Sequence, residues 1–510
     1  MFSVIFSGGI RGMEAYLVRV EVDLSRGLPG FELVGSVSGE VKEAKERVQI
    51  ALKNAGVSLP VARITVNLSP ANIKKEGTGY DLPIATGLII CMENIEAAQF
   101  AMTAFLGELT LNGEIKRVNG VLPAALALKK QGIERMVIPK ENVGECRKVP
   151  GMEIVGLEHI TELITYLKAT EEERKLRVVQ KEENVTAHGK ADVDFSEVCG
   201  QETAKRAAEV AAAGFHHIMF AGPPGAGKTM IAERIPGLLP PLTQKEKLEV
   251  SSIYSIVGKL QNGQELVDRR PFIAPHHTIS PQALAGGGRI PRPGLLSLAH
   301  RGILFLDEMP EFSSDVLEVL RQPMEAKKVQ IARSQGIYTY PADFMLVCAM
   351  NPCPCGYYPD KNKCNCSETD IRRYLGRISG PILDRIDIVT EASPVTIQDF
   401  HQKHTGETTG TIRKRVMAAR KLQKIRYQGT SYHFNGELSG REVEKFCPLG
   451  SKEQKFLEQV AENGQMSARA YHKVVKLART IADLAGEEVI GTNHLAEAVC
   501  YNSGRKRFWN

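Results

Sequence analysis

The residues best suited to chemistry run Gly222-Pro223-Pro224-Gly225-Ala226-Gly227-Lys228-Thr229. Glycines at this spacing let backbone N–H groups wrap a phosphate, the lysine reaches the outer phosphates, and the threonine hydroxyl suits Mg²⁺. As a bare pattern the run would also fit a glycine-rich turn, so its flanks decide. His217-Ile218-Met219-Phe220-Ala221 is short and apolar, as a buried parallel strand should be, and Met230 to Arg234 can open a helix. The reading is a Walker A phosphate loop that binds ATP with Mg²⁺. Further along, the apolar run Gly302 to Leu306 ends in Asp307 and Glu308. A carboxylate pair at a strand end is commonly just solvated. Beside a phosphate loop, Asp307 can hold Mg²⁺ through water and Glu308 can orient and deprotonate an attacking water.

Two close cysteine pairs, Cys353/Cys355 and Cys364/Cys366, offer four thiolates from two turns, enough to close a tetrahedral Zn²⁺ site. The C-x-C spacing departs from the commoner C-x₂-C, and four free surface thiols are the alternative. Tyr357, Tyr358 and Lys361 to Lys363 between the pairs suggest a loop that contacts nucleic acid. His276 and His277 are read as capping or packing residues rather than metal ligands.

Such groups need elements to hold them. A chain of 510 residues, 43% hydrophobic and 24% charged, has ample length for several buried cores. No run of eighteen apolar residues predicts a membrane span, and the start lacks the pattern of a secretory signal. Ten cysteines in a chain of this length point to a reducing, cytoplasmic setting. Net charge is only +6, yet from Thr396 onward 19 lysines and arginines face 12 acids. Arg413-Lys414-Arg415, Arg420-Lys421 and Arg505-Lys506-Arg507 suit a polyanion, or equally a solvated helix face.

Four segments are expected. Residues 1–168 alternate strand-like runs (Tyr16–Val22, Ile64–Leu68) with helical ones (Val41–Ala55, Leu122–Gln131), as in an α/β domain. Residues 169–194 are charged and read as a linker. Residues 195–395 carry the nucleotide motifs in a βα pattern. Residues 396–510 are periodic at helical spacing, notably Ala468–Leu484, and form a helical lid.

Longer stretches carry a resemblance: Ala274-Pro-His-His-Thr-Ile-Ser280, Pro293 to Gly302, Ala349-Met-Asn-Pro-Cys-Pro-Cys-Gly356 and Ser379 to Asp387. With them the chain resembles the YifB/ComM family, in the magnesium-chelatase-like branch of the AAA+ ATPases. The resemblance implies an AAA+ P-loop core with a helix-2 insert, a helical lid and a hexameric ring. It also implies a helicase that drives DNA branch migration in natural transformation. Within it Asn351 matches sensor 1, Arg385 the arginine finger that enters a neighbour's site, and Arg469 sensor 2. The runs Val329–Arg333 and Ile337–Tyr340 around Ser334-Gln335-Gly336 read as a hairpin. They match the pre-sensor-1 hairpin, with Lys327, Lys328 and Arg333 as phosphate contacts and the tyrosines as stacking platforms for bases. A hairpin that only braces the subunit interface is the alternative.

The N-terminal block resembles the Lon protease domain, of the ribosomal S5-like α/β class, through Leu106 to Ile115 and Gly132 to Pro139. Gly79-Tyr80-Asp81-Leu82 replaces the serine turn of Lon, and Gly120-Val121-Leu122-Pro123 replaces the lysine turn. Without an activated nucleophile no peptidase activity is expected. A true magnesium-chelatase motor, remodelling a protein partner, is the competing function.

Overall fold

The computed structural model describes residues 1–179, 193–260, 265–334, 336–360, 362–394, 406–464 and 466–509. The N-terminal domain is built on β1 (Phe2–Arg11), β2 (Glu14–Ser25), β3 (Gly30–Val34) and β4 (Arg63–Ser69). The sheet continues with β5 (Thr103–Phe105), β6 (Arg135–Pro139) and β7 (Glu153–Leu157). The order is β3-β4-β2-β1-β5-β6-β7. Its helices are α1 (Ala44–Asn54), α2 (Asp81–Met92), α3 (Val121–Lys130) and α4 (Ile160–Lys168). Period-two alternation along β2 and β4 buries Val18, Val20, Val22, Ile64, Val66 and Leu68 on one face, which α2 covers.

The stretch read as a linker begins differently. Glu171–Leu176 forms a short helix, α5, with Thr170 and Glu173 closing a capping box. Arg174 folds back beneath it, with its guanidinium 4.4 Å from the Phe100 ring centre. The Val179 amide then donates to Ile154 O at the edge of β7. Local capping chemistry outweighs the absence of large apolar side chains. Residues 180–192 lie outside the described residues.

The second sheet is wholly parallel. Its strands are β8 (Ile218–Ala221), β9 (Phe272–Ile273), β10 (Ile303–Leu306), β13 (Met345–Met350) and β14 (Ile388–Glu391), in the order β9-β10-β13-β8-β14. Here β11 (Lys328–Arg333) and β12 (Gly336–Pro341) are the expected hairpin, outside the sheet. Side chains alternate between faces. Ile218, Phe220, Phe305 and Val347 pack under α6 (Glu202–Gly214), α7 (Lys228–Leu238) and the C-terminal helices. Met219, Leu304, Leu306 and Leu346 face the hairpin and the helix-2 insert. The C-terminal region is helical as expected: α10 (Thr409–Arg426), α11 (Ser451–Gly464), α12 (Ala468–Ala485) and α13 (Thr492–Trp509). Between the two halves, α8 (Gln244–Ile256) and α9 (Arg321–Ala326) precede β9 and the hairpin. Among the described residues, no helix is long and apolar enough to cross a membrane.

The two domains meet along α3 and α8. The Gly120 amide donates to Ser255 O, and Arg147 and Lys148 both pair with Glu265.

Candidate nucleotide site

The phosphate loop joins β8 to α7, the strand–loop–helix setting its chemistry requires. Gly225 and Gly227 turn the chain at φ +76° and +77°, a region glycine enters freely. Because β13 lies between β8 and β10, its C-terminal residue brings Asn351 beside the loop. Lys228 Nζ donates to Gly222 O at 2.7 Å, Pro223 O at 2.9 Å and Asn351 Oδ1 at 3.0 Å. Thr229 Oγ1 donates to Asp307 Oδ2 at 2.9 Å, so the hydroxyl and carboxylate suited to Mg²⁺ already adjoin. The Asp307 Oδ1 accepts from the Glu308 amide at 2.9 Å. Glu308 itself takes φ 49°, unusual for a residue with a side chain, and its carboxylate stands exposed next to the loop. The expected phosphate, metal and water groups therefore converge.

Burial pulls the Lys228 ammonium down to about 8, against the attraction of Asp307 and Glu308. ATP binds the charged form. Affinity for a non-hydrolysable ATP analogue is therefore expected to hold below about pH 8 and then weaken about tenfold per unit. Equilibrium titrations from about pH 7 to 9.5 measure this. An affinity flat across that range would show that the lysine keeps its ordinary pKa.

Arg385 lies elsewhere. It precedes the N-terminal end of β14, whereas the phosphate loop leaves the C-terminal end of the neighbouring β8. In a parallel sheet those are opposite ends of the strands, so Arg385 does not face its own chain's phosphate loop. Its guanidinium pairs with Glu325 and with Pro381 O. Arg469 is in the same place, 3.6 Å from Asp384. Both arginines line a cavity of about 480 Å³ between the sheet's base and α12, and no phosphate-loop residue joins them. The sensor-2 match of Arg469 thus puts it beside the finger, not beside its own chain's Lys228.

Residues without a predicted role hold this pocket. Lys473 Nζ donates to Ile386 O at 2.7 Å, one residue past Arg385. Asp387 sits between Lys476, at 3.1 Å, and His216, at 3.2 Å, and these partners keep its carboxyl far below the usual range despite burial. The signal was present in the sequence: Arg469, Lys473, Lys476 and Thr480 recur at helical spacing and share one face of α12.

The four cysteines come together, with all their sulfurs within 4.8 Å of one another. Cys353 Sγ lies 3.3 Å from Cys355 Sγ and 3.8 Å from Cys364 Sγ. Thiolates about 2.3 Å from a tetrahedral Zn²⁺ stand about 3.8 Å apart, so this donor set fits that ion. The loop sits against the phosphate loop: a Cβ added at Gly356 would meet Pro224 at 2.4 Å. Lys361 lies outside the described residues.

The hairpin corrects one reading. Tyr338 and Tyr340 are buried, and Tyr340 Oη donates to Pro291 O at 2.6 Å, so neither offers a free ring for base stacking. Lys327 is paired at the hairpin root with Glu437 and, at 3.5 Å, with Asp343. Lys328 and Arg333 remain exposed. In the C-terminal region Arg415 pairs with Glu407 and Glu209, and Arg420 lies over the Phe434 ring. Arg413, Lys414 and Lys421 stay exposed, and the side chains of Arg505 to Arg507 lie outside the described residues. His276 Nδ1 accepts from the Thr278 amide at 3.4 Å, a local turn contact.

In the N-terminal domain Asp81 opens α2 fully buried, held by Arg47 at 2.7 and 2.9 Å and by the Leu109 amide at 3.1 Å. Pro123 sits within α3. Asp81 in the Gly79–Leu82 stretch is thus half of a buried ion pair.

Comparisons agree with this geometry. Residues 194–400 match the model described as magnesium chelatase, subunit ChlI. Residues 20–142 match subunit ChlI of Mg-chelatase, and 406–502 match the ChlI C-terminal model. Competence protein ComM of Haemophilus influenzae (strain ATCC 51907 / DSM 11121 / KW20 / Rd) is 42% identical over 98% of this chain and 97% of its own. The YifB protein of Escherichia coli (strain K12) is 39% identical over 98% of this chain and 97% of its own. Lon protease 2 of Bacillus subtilis (strain 168) is 28% identical over 145 residues, 27% of this chain and 26% of its own. The chain belongs to the YifB/ComM family of magnesium-chelatase-like AAA+ proteins, with a Lon-like N-terminal domain.

Proposed function

We propose that the chain hydrolyses ATP in a homo-hexameric ring and uses the energy to move DNA, in the manner of a branch-migration helicase. The observation that carries the ring is the separation of Arg385 from its own phosphate loop by the full length of the parallel sheet. In this scheme Lys228 and Asn351 hold the terminal phosphate, and Thr229 and Asp307 hold Mg²⁺, which neutralises phosphate charge when bound. Glu308 takes the proton from water as it attacks. Arg385 and Arg469 of the next subunit neutralise the negative charge that develops on the transferred phosphoryl group.

DNA as substrate is supported by the exposed Lys328 and Arg333 and by similarity to a protein named for competence. Phosphate neutralisation makes the affinity fall steeply with salt, with a log–log slope near −5 for about six phosphates. Replacing both Lys328 and Arg333 with alanine is expected to flatten that slope by about 2 and uncouple hydrolysis from strand movement. Binding indifferent to salt, with ATPase unresponsive to single strands, duplexes and four-way junctions, would overturn the DNA reading. Stimulation by a chelatase complex instead would favour remodelling of a protein partner, the second reading, which similarity to magnesium chelatase subunit ChlI supports.

We also propose that Cys353, Cys355, Cys364 and Cys366 hold one Zn²⁺. Elemental analysis of reduced, chelator-free protein is expected to find about one zinc per chain, lost in a Cys364→Ser/Cys366→Ser variant. Protein without zinc under those conditions rules the site out.

A further inference from the structure

The hairpin tip is shared between domains. The β1–β2 turn of the N-terminal domain lies directly on it. Gly12, at φ +66°, stands so close that an added Cβ would lie 3.3 Å from Tyr338, and Met13 packs into the ATPase-side core. This docking carries Arg11 to the tip. Its guanidinium lies 5.6 Å from the Tyr338 ring centre and reaches Gly336, where an added Cβ would come within 2.5 Å of it. On the other flank, Arg333 Nε donates to Gly288 O at 3.3 Å. That bond ties the hairpin to the small ribbon in which Gly287 faces Arg292.

Arg11, Arg289, Arg292 and Arg333 are all exposed around this tip. Among the described residues, no carboxylate pairs with Arg289, Arg292 or Arg333. Glu14 faces Arg11 across the turn. The contrast with cations deeper in the same region is sharp: Lys327, Arg270 and Arg301 each have an acidic partner. Guanidiniums gathered this way suit phosphodiester oxygens, which they can meet in a bidentate fork.

We propose that the DNA grip is composite: Arg11 of the Lon-like domain joins Arg289, Arg292 and Arg333 of the ATPase domain in contacting the phosphate backbone. The proposal rests on DNA being the substrate. It gives the N-terminal domain a binding role. Arginines from two domains and a glycine ribbon then hold one strand without reading its bases, as a motor that must pass any sequence requires.

The test uses the full-length protein, a fluorescein-labelled duplex of about 30 base pairs and the matching single strand. Arg11→Gln is expected to lower duplex affinity about fivefold, alike for unrelated sequences, and to flatten the salt slope by about 1. Arg11→Lys should restore most of the slope. Cross-linking to a photoreactive phosphate backbone, mapped by mass spectrometry on the unaltered protein, should label the peptide holding Arg11 as well as the hairpin, and needs no variant to fold. An unchanged Arg11→Gln slope alongside a reduced Arg333→Gln slope, with cross-links confined to the ATPase domain, overturns the composite grip and leaves DNA as substrate. Salt-independent binding by the unaltered protein sinks both.

Discussion

Glu308→Gln protein is expected to bind ATP normally and to turn it over at least about 100-fold more slowly, the usual loss when a general base is removed. The amide is isosteric and uncharged, so the backbone turn at Glu308 and the Asp307–Thr229 contact stay intact. Lys228→Ala fails earlier, at binding, because it removes the charge that the loop buries for the phosphates. Single-turnover hydrolysis and nucleotide titration separate the two. Normal turnover by Glu308→Gln would remove Glu308 from the mechanism.

Arg385→Ala is expected to cost more, about 10³-fold or beyond, in line with other arginine fingers. Its own nucleotide pocket is untouched, since the arginine lies at the opposite end of the strands. Mixing it with Lys228→Ala should therefore restore some activity, because rings then contain pairs in which an intact loop faces an intact arginine. Given subunit exchange, checked by labelled chains, failure to restore any activity would show that no site is shared.

The local parts of this site were legible in the sequence because each is a contiguous run. A strand, a glycine loop and a helix start predict the phosphate loop, and an apolar strand ending in two acids predicts Asp307 and Glu308. The four-cysteine cluster was legible for the same reason. What escaped were choices made by distant partners. Lys327 reads as a phosphate contact from its position, but its pairing with Glu437, 110 residues away, has no local signal. Alternation along β12 shows that Tyr338 and Tyr340 share a face, but not that the turn at Gly12 and the carbonyl of Pro291 cover it. In α5 the reverse happened. Thr170 and Glu173 spell a helix start that a charge count obscures.

Lys327 also makes the root of the hairpin a junction. It sits at φ 55° between α9 and β11, two residues after Glu325, which holds the finger, and its ammonium is fastened to Glu437 in the helical region. The strand beyond it has six residues, a rigid arm about 20 Å long at about 3.3 Å per residue. Its far end is held in turn by the β1–β2 turn of the N-terminal domain, so the hairpin runs from the helical region to the Lon-like domain. Lys327 at its root thus joins the segment after Glu325, the hairpin and the helical region in one continuous path.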